Sequence, residues 1–221
     1  MRLYRYVMPR DFGFAPNPFF SFCTLACCKP EIRRAAQLGD LVVGINGTPP
    51  NKKPKQQQDR IVYAMRVTET LSFNDYWDDP RFQNKKPNFH SSRMYAFGDN
   101  IYRKDGNGLW FQADSHHTLP NGAPNDFNIR TDTSADRVLI SDDFAYWGGS
   151  GPLRSNPDIE VWASAVFDGG RRAHKCNFDE RTINSVTAWF AALPDRGYLG
   201  RPERWVVGAA EMTAHHRLRK R

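Results

Sequence analysis

The stretch KPEIRRAAQLGDLVVGI, residues 29–45, joins a short helical pattern directly to an apolar run. Pro30 suits the first turn of a helix, and Gly39 suits the point at which a helix ends. The following LVVGI is apolar and rich in β-branched side chains, which favours a buried strand. We therefore predict a short helix that leads into a core strand.

Strand patterns flank this unit on both sides, and two further helices are expected. Ser72 can cap a short helix over FNDYWDDP, and TINSVTAWFAAL (residues 182–193) has the apolar spacing of a helix. Many strands without regular alternation with helices predict an α+β or barrel-like domain on an antiparallel or mixed sheet. The predicted strands are LYRYVM (3–8), RIVYAMRVTETLSF (60–73), MYAFGDNIYR (94–103) paired with LWFQAD (109–114), RVLISDDFAYWG (137–148) and VWASAVF (161–167).

The formal charge of +7 is concentrated in two segments. Four positive charges lie in the last five residues, and Lys52, Lys53 and Lys55 supply the other three, so the remaining chain is neutral. Such segments suit nonspecific attraction to phosphates, or they are simply solvated. No apolar run approaches the roughly 18 residues that cross a bilayer, and the N-terminus lacks the apolar core of a signal peptide. We predict a cytoplasmic protein without membrane contact.

The segment DSHH, residues 114–117, is the first candidate for chemistry. Beside a carboxylate, a histidine can act as an acid, a base or a hydrogen-bond reader, but a polar turn before Pro120 is an equally simple interpretation. On a continuing strand, His116 and His117 would face opposite sides, so only one could enter a pocket.

The cysteines offer a second possibility. Cys23, Cys27 and Cys28 could bind zinc with His116 or His117, although the spacing completes no known zinc motif. A nucleophilic Cys23 would need a nearby cation, for which Lys29 is a candidate. Small buried cysteines are common in protein cores, and we predict no metal and no cofactor.

Longer strings of this chain resemble the nucleotide modification associated domain family, type 2. The similarity runs from about residue 4 to residue 155 and includes APNPF, CTLA followed by CKP, IRR, GDNIYR, WFQADSHHTLPNG and RVLIS. This family is associated with bacterial and phage systems that modify DNA bases. AAQLGDLVVGI also resembles an element of the PUA-like EVE, ASCH and YTH domains, small barrels that hold a nucleobase.

The resemblance implies an α+β fold, either a PUA-like β-barrel or a strongly bent mixed sheet with short peripheral helices. Residues 1–160 would form the core and residues 161–221 a helical extension with a basic tail. It further implies binding of a modified nucleobase, with DNA or nucleotides as partners and other proteins of DNA modification or phage defence nearby. The base would be flipped out of the DNA stack.

The site residues follow from the same resemblance. His117 is preferred over His116, and Tyr102 and Trp110 are the expected stacking residues. The predicted nucleobase-binding residues are Asn17, Phe19, Cys23, Thr24, Asp99, Asn100, Tyr102, Trp110, Gln112, Ser115 and His117. The predicted phosphate-binding residues are Lys29, Arg33 and Arg34, which the resemblance implies, and Lys52, Lys53 and Lys55, which the basic charge of their segment suggests.

Two alternatives remain open at this stage. The protein could be an enzyme acting on a modified base or nucleotide, such as a glycosylase, hydrolase or group transferase, with His117 and either Asp99 or Asp114 as the reacting pair. It could also be an interaction module for a partner protein, which would present a surface patch rather than a pocket.

Overall fold

The computed structural model describes residues 1–47, 59–168 and 174–207. The predicted phosphate-binding residues Lys52, Lys53 and Lys55, and the basic C-terminal tail, lie outside these ranges. The described strands are β1 (Leu3–Met8), β2 (Cys23–Leu25), β3 (Leu41–Asn46), β4 (Ile61–Arg66), β5 (Glu69–Leu71), β6 (Tyr102–Lys104), β7 (Trp110–Gln112), β8 (Val138–Ser141), β9 (Asp143–Tyr146), β10 (His174–Lys175) and β11 (Gly197–Tyr198).

A six-stranded mixed sheet in the order β10-β1-β3-β4-β9-β11 forms the centre of the molecule. Strands β1 and β3 are parallel, with Leu3 opposite Leu41 and Met8 opposite Asn46. The connection between them contains β2 and the first helix, because parallel neighbours need a crossover. The opening stretch of sequence therefore builds this crossover and the central strand β3, as its pattern predicts.

Two segments predicted as single strands are each bent between sheets. RIVYAMRVTETLSF forms β4 and β5, and RVLISDDFAYWG forms β8 and β9. Strand β4 pairs antiparallel with β9 in the large sheet, and β5 pairs antiparallel with β8 in a smaller sheet of order β2-β8-β5. At the bend, the Thr68 N–H donates to the Ile140 carbonyl at 3.0 Å, and the Thr68 hydroxyl accepts from the Asp142 N–H at 3.2 Å. The α+β class and the mixed sheet are confirmed, whereas the described strands form sheets of six, three and two strands rather than a closed barrel.

The helices of the described residues are short except for α6, and their ends follow local chemistry. The Ser72 hydroxyl accepts from the Asp75 N–H and starts α2, and the Asp179 carboxylate accepts from the Thr182 N–H and starts α6. Their bounds are α1 (Pro30–Ala35), α2 (Phe73–Asp78), α3 (Arg93–Ala96), α4 (Asp126–Asp132), α5 (Glu160–Phe167), α6 (Glu180–Ala192) and α7 (Glu203–Val207). None of them is long and apolar enough to cross a membrane.

Two strand predictions were wrong. VWASAVF forms helix α5, in which Trp162, Ala163 and Val166 face the core at helical spacing. The start of MYAFGDNIYR belongs to α3, and only Tyr102–Lys104 pairs with β7. Short apolar runs do not distinguish a strand from a buried helix, and tertiary packing decides between them.

The core lies on both faces of the large sheet. On one face, α5 and α6 cover the sheet with Trp162, Val166, Val186 and Phe190. The opposite face packs against α1 and the small sheet, where Tyr6 meets a buried cluster. A third cluster fills the space between the small sheet and the β6–β7 hairpin. The candidate site lies where the turn after β2 meets the segment that follows this hairpin.

Candidate active site

The turn between β2 and α1 has an unusual backbone. Cys28 and Lys29 both adopt the left-handed region, with φ of 60° and 44°. This region is costly for residues with a Cβ and persists where neighbouring contacts hold it. Three bonds do so: the Cys28 N–H donates to Asp132 Oδ1 at 2.8 Å, Arg33 Nε donates to the Cys28 carbonyl at 2.9 Å, and the Arg33 N–H donates to the Lys29 carbonyl at 3.1 Å.

His117 lies in the turn that follows β7, and its backbone is fixed by side-chain amides. Its carbonyl accepts from Asn128 Nδ2 at 2.7 Å and from Gln112 Nε2 at 3.4 Å. Asn128 is held in turn by α4, whose first turn is capped by the Asn125 side chain. Asp132 is the last residue of α4, so this helix positions both the histidine and its carboxylate partner.

Cys28, His117 and Asp132 form a hydrogen-bonded line. His117 Nδ1 lies 2.7 Å from Asp132 Oδ2, and His117 Nε2 lies 3.7 Å from Cys28 Sγ. With Nδ1–H donated to the carboxylate, Nε2 faces the sulfur and can exchange a proton with it. A nucleophile, a base and a group that orients the base are the parts that nucleophilic catalysis by a thiol requires.

The pKa of His117 depends on the groups that lie beside it in this line. Asp132 is 3% exposed and also accepts from the Tyr102 hydroxyl at 2.9 Å, so several donors stabilise the carboxylate. Burial lowers the pKa of His117, but the hydrogen bonds to Asp132 and Cys28, and the negative charges on both, together raise that pKa to about 10. The imidazolium form of His117 is therefore favoured at neutral pH.

Arg33 connects the turn that carries Cys28 to the end of helix α4 through hydrogen bonds. Its guanidinium is fully buried and donates to the carbonyls of Asp132, Ala135 and Arg137 as well as to that of Cys28. Burial lowers the pKa of Arg33, and the Asp132 charge opposes this. The sequence placed Arg33 in a phosphate site, but the guanidinium here binds carbonyl oxygens. Arg34 is exposed and pairs with Glu31 at 2.7 Å, and Lys29 is half-buried beside Cys28.

The two adjacent histidines lie on the same side of the structure. Strand β7 ends at Gln112, so the alternation expected for a strand does not reach His116 and His117. Their ring centroids are 6.1 Å apart, and both rings contact Phe14, at 5.3 Å and 4.6 Å. His116 also lies 4.8 Å from the ring of Phe12 and 5.4 Å from that of Phe97. The result is an aromatic cluster next to the Cys28–His117 pair.

Many of the predicted nucleobase-binding residues are buried in a separate network. Asp99 Oδ2 accepts from the Thr24 hydroxyl at 2.7 Å, and its Oδ1 accepts from the Tyr76 hydroxyl at 2.8 Å. Burial raises the pKa of Asp99, and the positive charge of Lys85 opposes this. The predicted residues that are fully or almost fully buried, and hence enclosed by protein, are Asn17, Phe19, Cys23, Thr24, Asp99, Asn100, Tyr102, Gln112 and Ser115.

Lys85, which was not predicted, organises this network. Its ammonium is buried and donates to Asn17 Oδ1 at 2.6 Å, to the Asn17 carbonyl at 3.0 Å and to the Phe22 carbonyl at 2.9 Å. Asn100 Nδ2 donates to the Tyr76 and Phe82 carbonyls. These contacts hold loops together and leave the side chains directed into the protein.

The predicted stacking residues and Asp114 have other contacts. Tyr102 is fully buried under Phe73, and its hydroxyl bonds Asp132, so its ring has no free face for a base. Trp110 packs edge-on against Phe73 at 5.5 Å, and the Lys104 ammonium lies 4.6 Å from its centroid. Asp114 Oδ1 accepts from the Thr118 hydroxyl at 2.8 Å, which closes the turn. Tyr102 and Gln112 therefore contact the Cys28–His117–Asp132 line as supports, since Gln112 Nε2 donates to the Tyr102 hydroxyl at 3.0 Å.

A metal could in principle approach the same place, because one atom each of Cys27, His117 and Asp132 lie within 4.8 Å of one another. Among the described residues, His117 Nδ1 bonds Asp132 Oδ2 at 2.7 Å, so these two side chains form a hydrogen-bonded pair. Burial raises the pKa of Cys23 and that of Cys27, which keeps both thiols protonated. Cys28 is the half-buried cysteine at the site.

Neither Cys28, which was considered above only as a possible zinc ligand, nor Asp132 was among the predicted site residues. The sequence feature that points to Cys28 is the pair Cys27–Cys28 just before Lys29 and Pro30, where a turn precedes the helix. The signal for Asp132 was weaker: a carboxylate at the end of α4, 15 residues after His117. Only the fold shows that these residues meet.

The family model for nucleotide modification associated domain 2 matches residues 1–209. No curated protein and no solved structure matches the chain significantly. The match extends beyond residue 155, where the similarity of individual motifs ended, and takes in the helices α5, α6 and α7. The chain belongs to the nucleotide modification associated domain 2 family.

Proposed function

We propose that the protein is a thiol-dependent enzyme that acts on a nucleotide or on a base within a nucleic acid. The observation that carries this proposal is the line from Cys28 Sγ through His117 to Asp132, with separations of 3.7 Å and 2.7 Å. The family supports the substrate class, because its members are associated with nucleotide modification.

The reaction uses the proton shared by Cys28 and His117. With the proton on Nε2, the Cys28 thiolate attacks an electrophilic carbon of the substrate and forms a carbon–sulfur bond. The bond from that carbon to the leaving group breaks, and the leaving group takes the proton from His117. Water or an acceptor hydroxyl then gives a proton to His117 as its oxygen displaces the sulfur. Asp132 keeps the imidazole oriented and stabilises its charged form throughout.

The second proposal is that the protein is a PUA-like domain, as the sequence motifs suggest, that binds a modified nucleobase. The base would be flipped out of DNA, and the protein would act in a bacterial or phage modification or defence system. The half-buried rings of Phe12 and His116, 4.8 Å apart over the buried Phe14 and Phe97, favour this proposal, since a planar base stacks on such rings. The buried positions of Asn17, Thr24 and Asn100 count against the particular base-reading set expected from the sequence.

One experiment separates these two functions. The protein is incubated with nucleotides and with matched oligonucleotides that carry plain or modified cytosine and thymine. Mass spectrometry then measures altered or released bases and any covalent adduct on Cys28. Cys28→Ser is compared with Cys176→Ser, which changes an exposed cysteine elsewhere and serves as the control.

The enzyme proposal predicts an altered base or an adduct with the wild type and with Cys176→Ser, and neither with Cys28→Ser. Conversion that continues in Cys28→Ser would overturn the role of the thiol. Tight, modification-dependent binding with every base intact would establish the reader instead.

A further inference from the structure

We propose that Lys29 forms an anion subsite beside Cys28, so that the substrate carries a phosphate next to the carbon that the thiolate attacks. This inference rests on the proposed function and names the chemistry of its substrate more closely. It is independent of the basic segments outside the described residues.

The position of Lys29 is fixed by the same turn that presents the thiol. Cys28 and Lys29 share the left-handed backbone, and the Lys29 carbonyl accepts from the Arg33 N–H at 3.1 Å. The side chain is half-buried, with its ammonium 4.9 Å from the centroid of Tyr6. Tyr6 is itself buried in the core, so the aromatic ring that the ammonium contacts is held in place by core packing.

The ammonium contacts this aromatic ring but has no hydrogen-bond acceptor or carboxylate partner among residues 1–47, 59–168 and 174–207. A cation that is partly removed from water without a partner is unfavourable, because it loses hydration without replacing it. Cys28 and Lys29 are neighbours in one turn, and burial lowers the pKa of Lys29 while a negative charge on Cys28 would oppose this. A bound anion would supply the missing partner.

The other cations nearby are already engaged. Arg33 is buried, and its guanidinium donates to four carbonyls. Arg34 is exposed and forms an ion pair with Glu31. The imidazolium of His117 bonds Asp132. Lys29 is therefore the cation of this group that is available to a ligand. In a family linked to nucleotide modification, the anion with the fitting chemistry is a nucleotide phosphate.

The charge of the thiol reagent provides the test. Rates of alkylation at Cys28 are measured with neutral iodoacetamide and with anionic iodoacetate, and Cys176 in the same molecule gives the reference ratio for an exposed thiol. Wild type is compared with Lys29→Met and with Lys29→Arg. A nearby cation should favour the anionic reagent, so we expect the iodoacetate-to-iodoacetamide ratio at Cys28 to fall about tenfold in Lys29→Met and to persist in Lys29→Arg.

Protection experiments then identify the ligand. Inorganic phosphate, deoxycytidine 5′-monophosphate and a short single-stranded oligonucleotide are compared with uncharged deoxycytidine as inhibitors of alkylation by iodoacetamide. The monophosphate should protect the wild type more than Lys29→Met, and the oligonucleotide indicates whether a phosphodiester suffices. An unchanged reagent ratio in Lys29→Met, or equal protection by deoxycytidine and its monophosphate, would overturn the inference.

The two proposals fail differently. If Cys28 reacts with iodoacetamide no faster than Cys176 in any protein, the activated thiol is refuted. The reagent ratio would still report on the cation at Lys29.

Discussion

The backbone N–H of Cys28 donates to Asp132 Oδ1 at 2.8 Å, across 104 residues of chain. The other oxygen of the same carboxylate bonds His117. One side chain thus fixes both the turn that carries the thiol and the ring that faces it. This double role makes Asp132 the residue on which the geometry depends most.

Replacing Asp132 by Asn should therefore weaken both connections. An amide can accept from only one oxygen, so either the Cys28 turn or the His117 ring loses its partner. We expect a loss of about 1–3 kcal/mol in the free energy of unfolding, because a buried charge-assisted bond is removed. Urea unfolding measures this, and a stability equal to that of the wild type would show that the carboxylate is not a structural anchor.

Arg33 and Arg34 form a matched pair of neighbours. Arg33→Lys should destabilise the protein by about 3 kcal/mol, since an ammonium cannot replace a planar guanidinium that donates to several carbonyls. Arg34→Lys should change the stability by less than about 1 kcal/mol because its ion pair is exposed. Urea titrations of both variants test the contrast, and equal losses would contradict it.

Lys85 and Lys86 provide a second pair. Lys85→Met leaves the Asn17 and Phe22 carbonyls without their donor, and we expect the free energy of unfolding to fall by about 3 kcal/mol. Lys86→Met removes an exposed hydrogen bond to Gln83 and should change the free energy of unfolding little. Urea unfolding of both variants at neutral pH distinguishes them. Comparable losses in the two variants would mean that the buried ammonium contributes no more than a surface one.

Lys85 also predicts a pH dependence. Burial lowers the pKa of Lys85 from 10.5 to about 8, while the nearby negative charge of Asp99 opposes the change. Between these values the unfolded chain binds more protons, so this group makes the folded protein more stable as pH rises from about 8 to about 10.5. Lys85→Met should lack this increment. The same slope in both proteins would contradict the assignment.

His117 predicts the opposite trend. Although burial alone would lower it, its pKa rises from 6.5 to about 10 in the folded protein. The stabilisation is complete below about pH 6.5 and is lost as pH rises through about 10, because the folded state then loses its extra proton. The difference in the free energy of unfolding between wild type and His117→Asn should shrink over this interval. A difference that stays constant would show that His117 is not the titrating group.

The local elements of the fold could largely be predicted. The pattern of LYRYVM gave β1, Ser72 caps α2, and the apolar spacing of residues 182–193 corresponds to α6. The bend at Thr68 could not be predicted, because strand propensity continues through RIVYAMRVTETLSF and only pairing with β8 and β9 reveals two sheets. Helix α5 was mistaken for a strand for the related reason that packing overrides the pattern of a short apolar run.

The site was predicted only in part. His117 was preferred over His116 on family resemblance, and the structure shows it bonded to Asp132. The contact between Cys28 and Asp132 was not predicted, because it joins residues 104 positions apart and no local spacing encodes it. Tyr102 and Asp99 were expected to meet a base, but both are buried. Polar residues in a motif can serve internal hydrogen bonds as readily as ligands.

Whether His117 activates Cys28 is decided by the rate at which iodoacetamide alkylates Cys28 relative to Cys176, in wild type and in His117→Ala. We expect half-buried Cys28 to react faster than exposed Cys176 at neutral pH, and this advantage to fall by about tenfold or more without His117. A Cys28 that reacts no faster than Cys176, and at the same rate in both proteins, would contradict a thiol activated by His117.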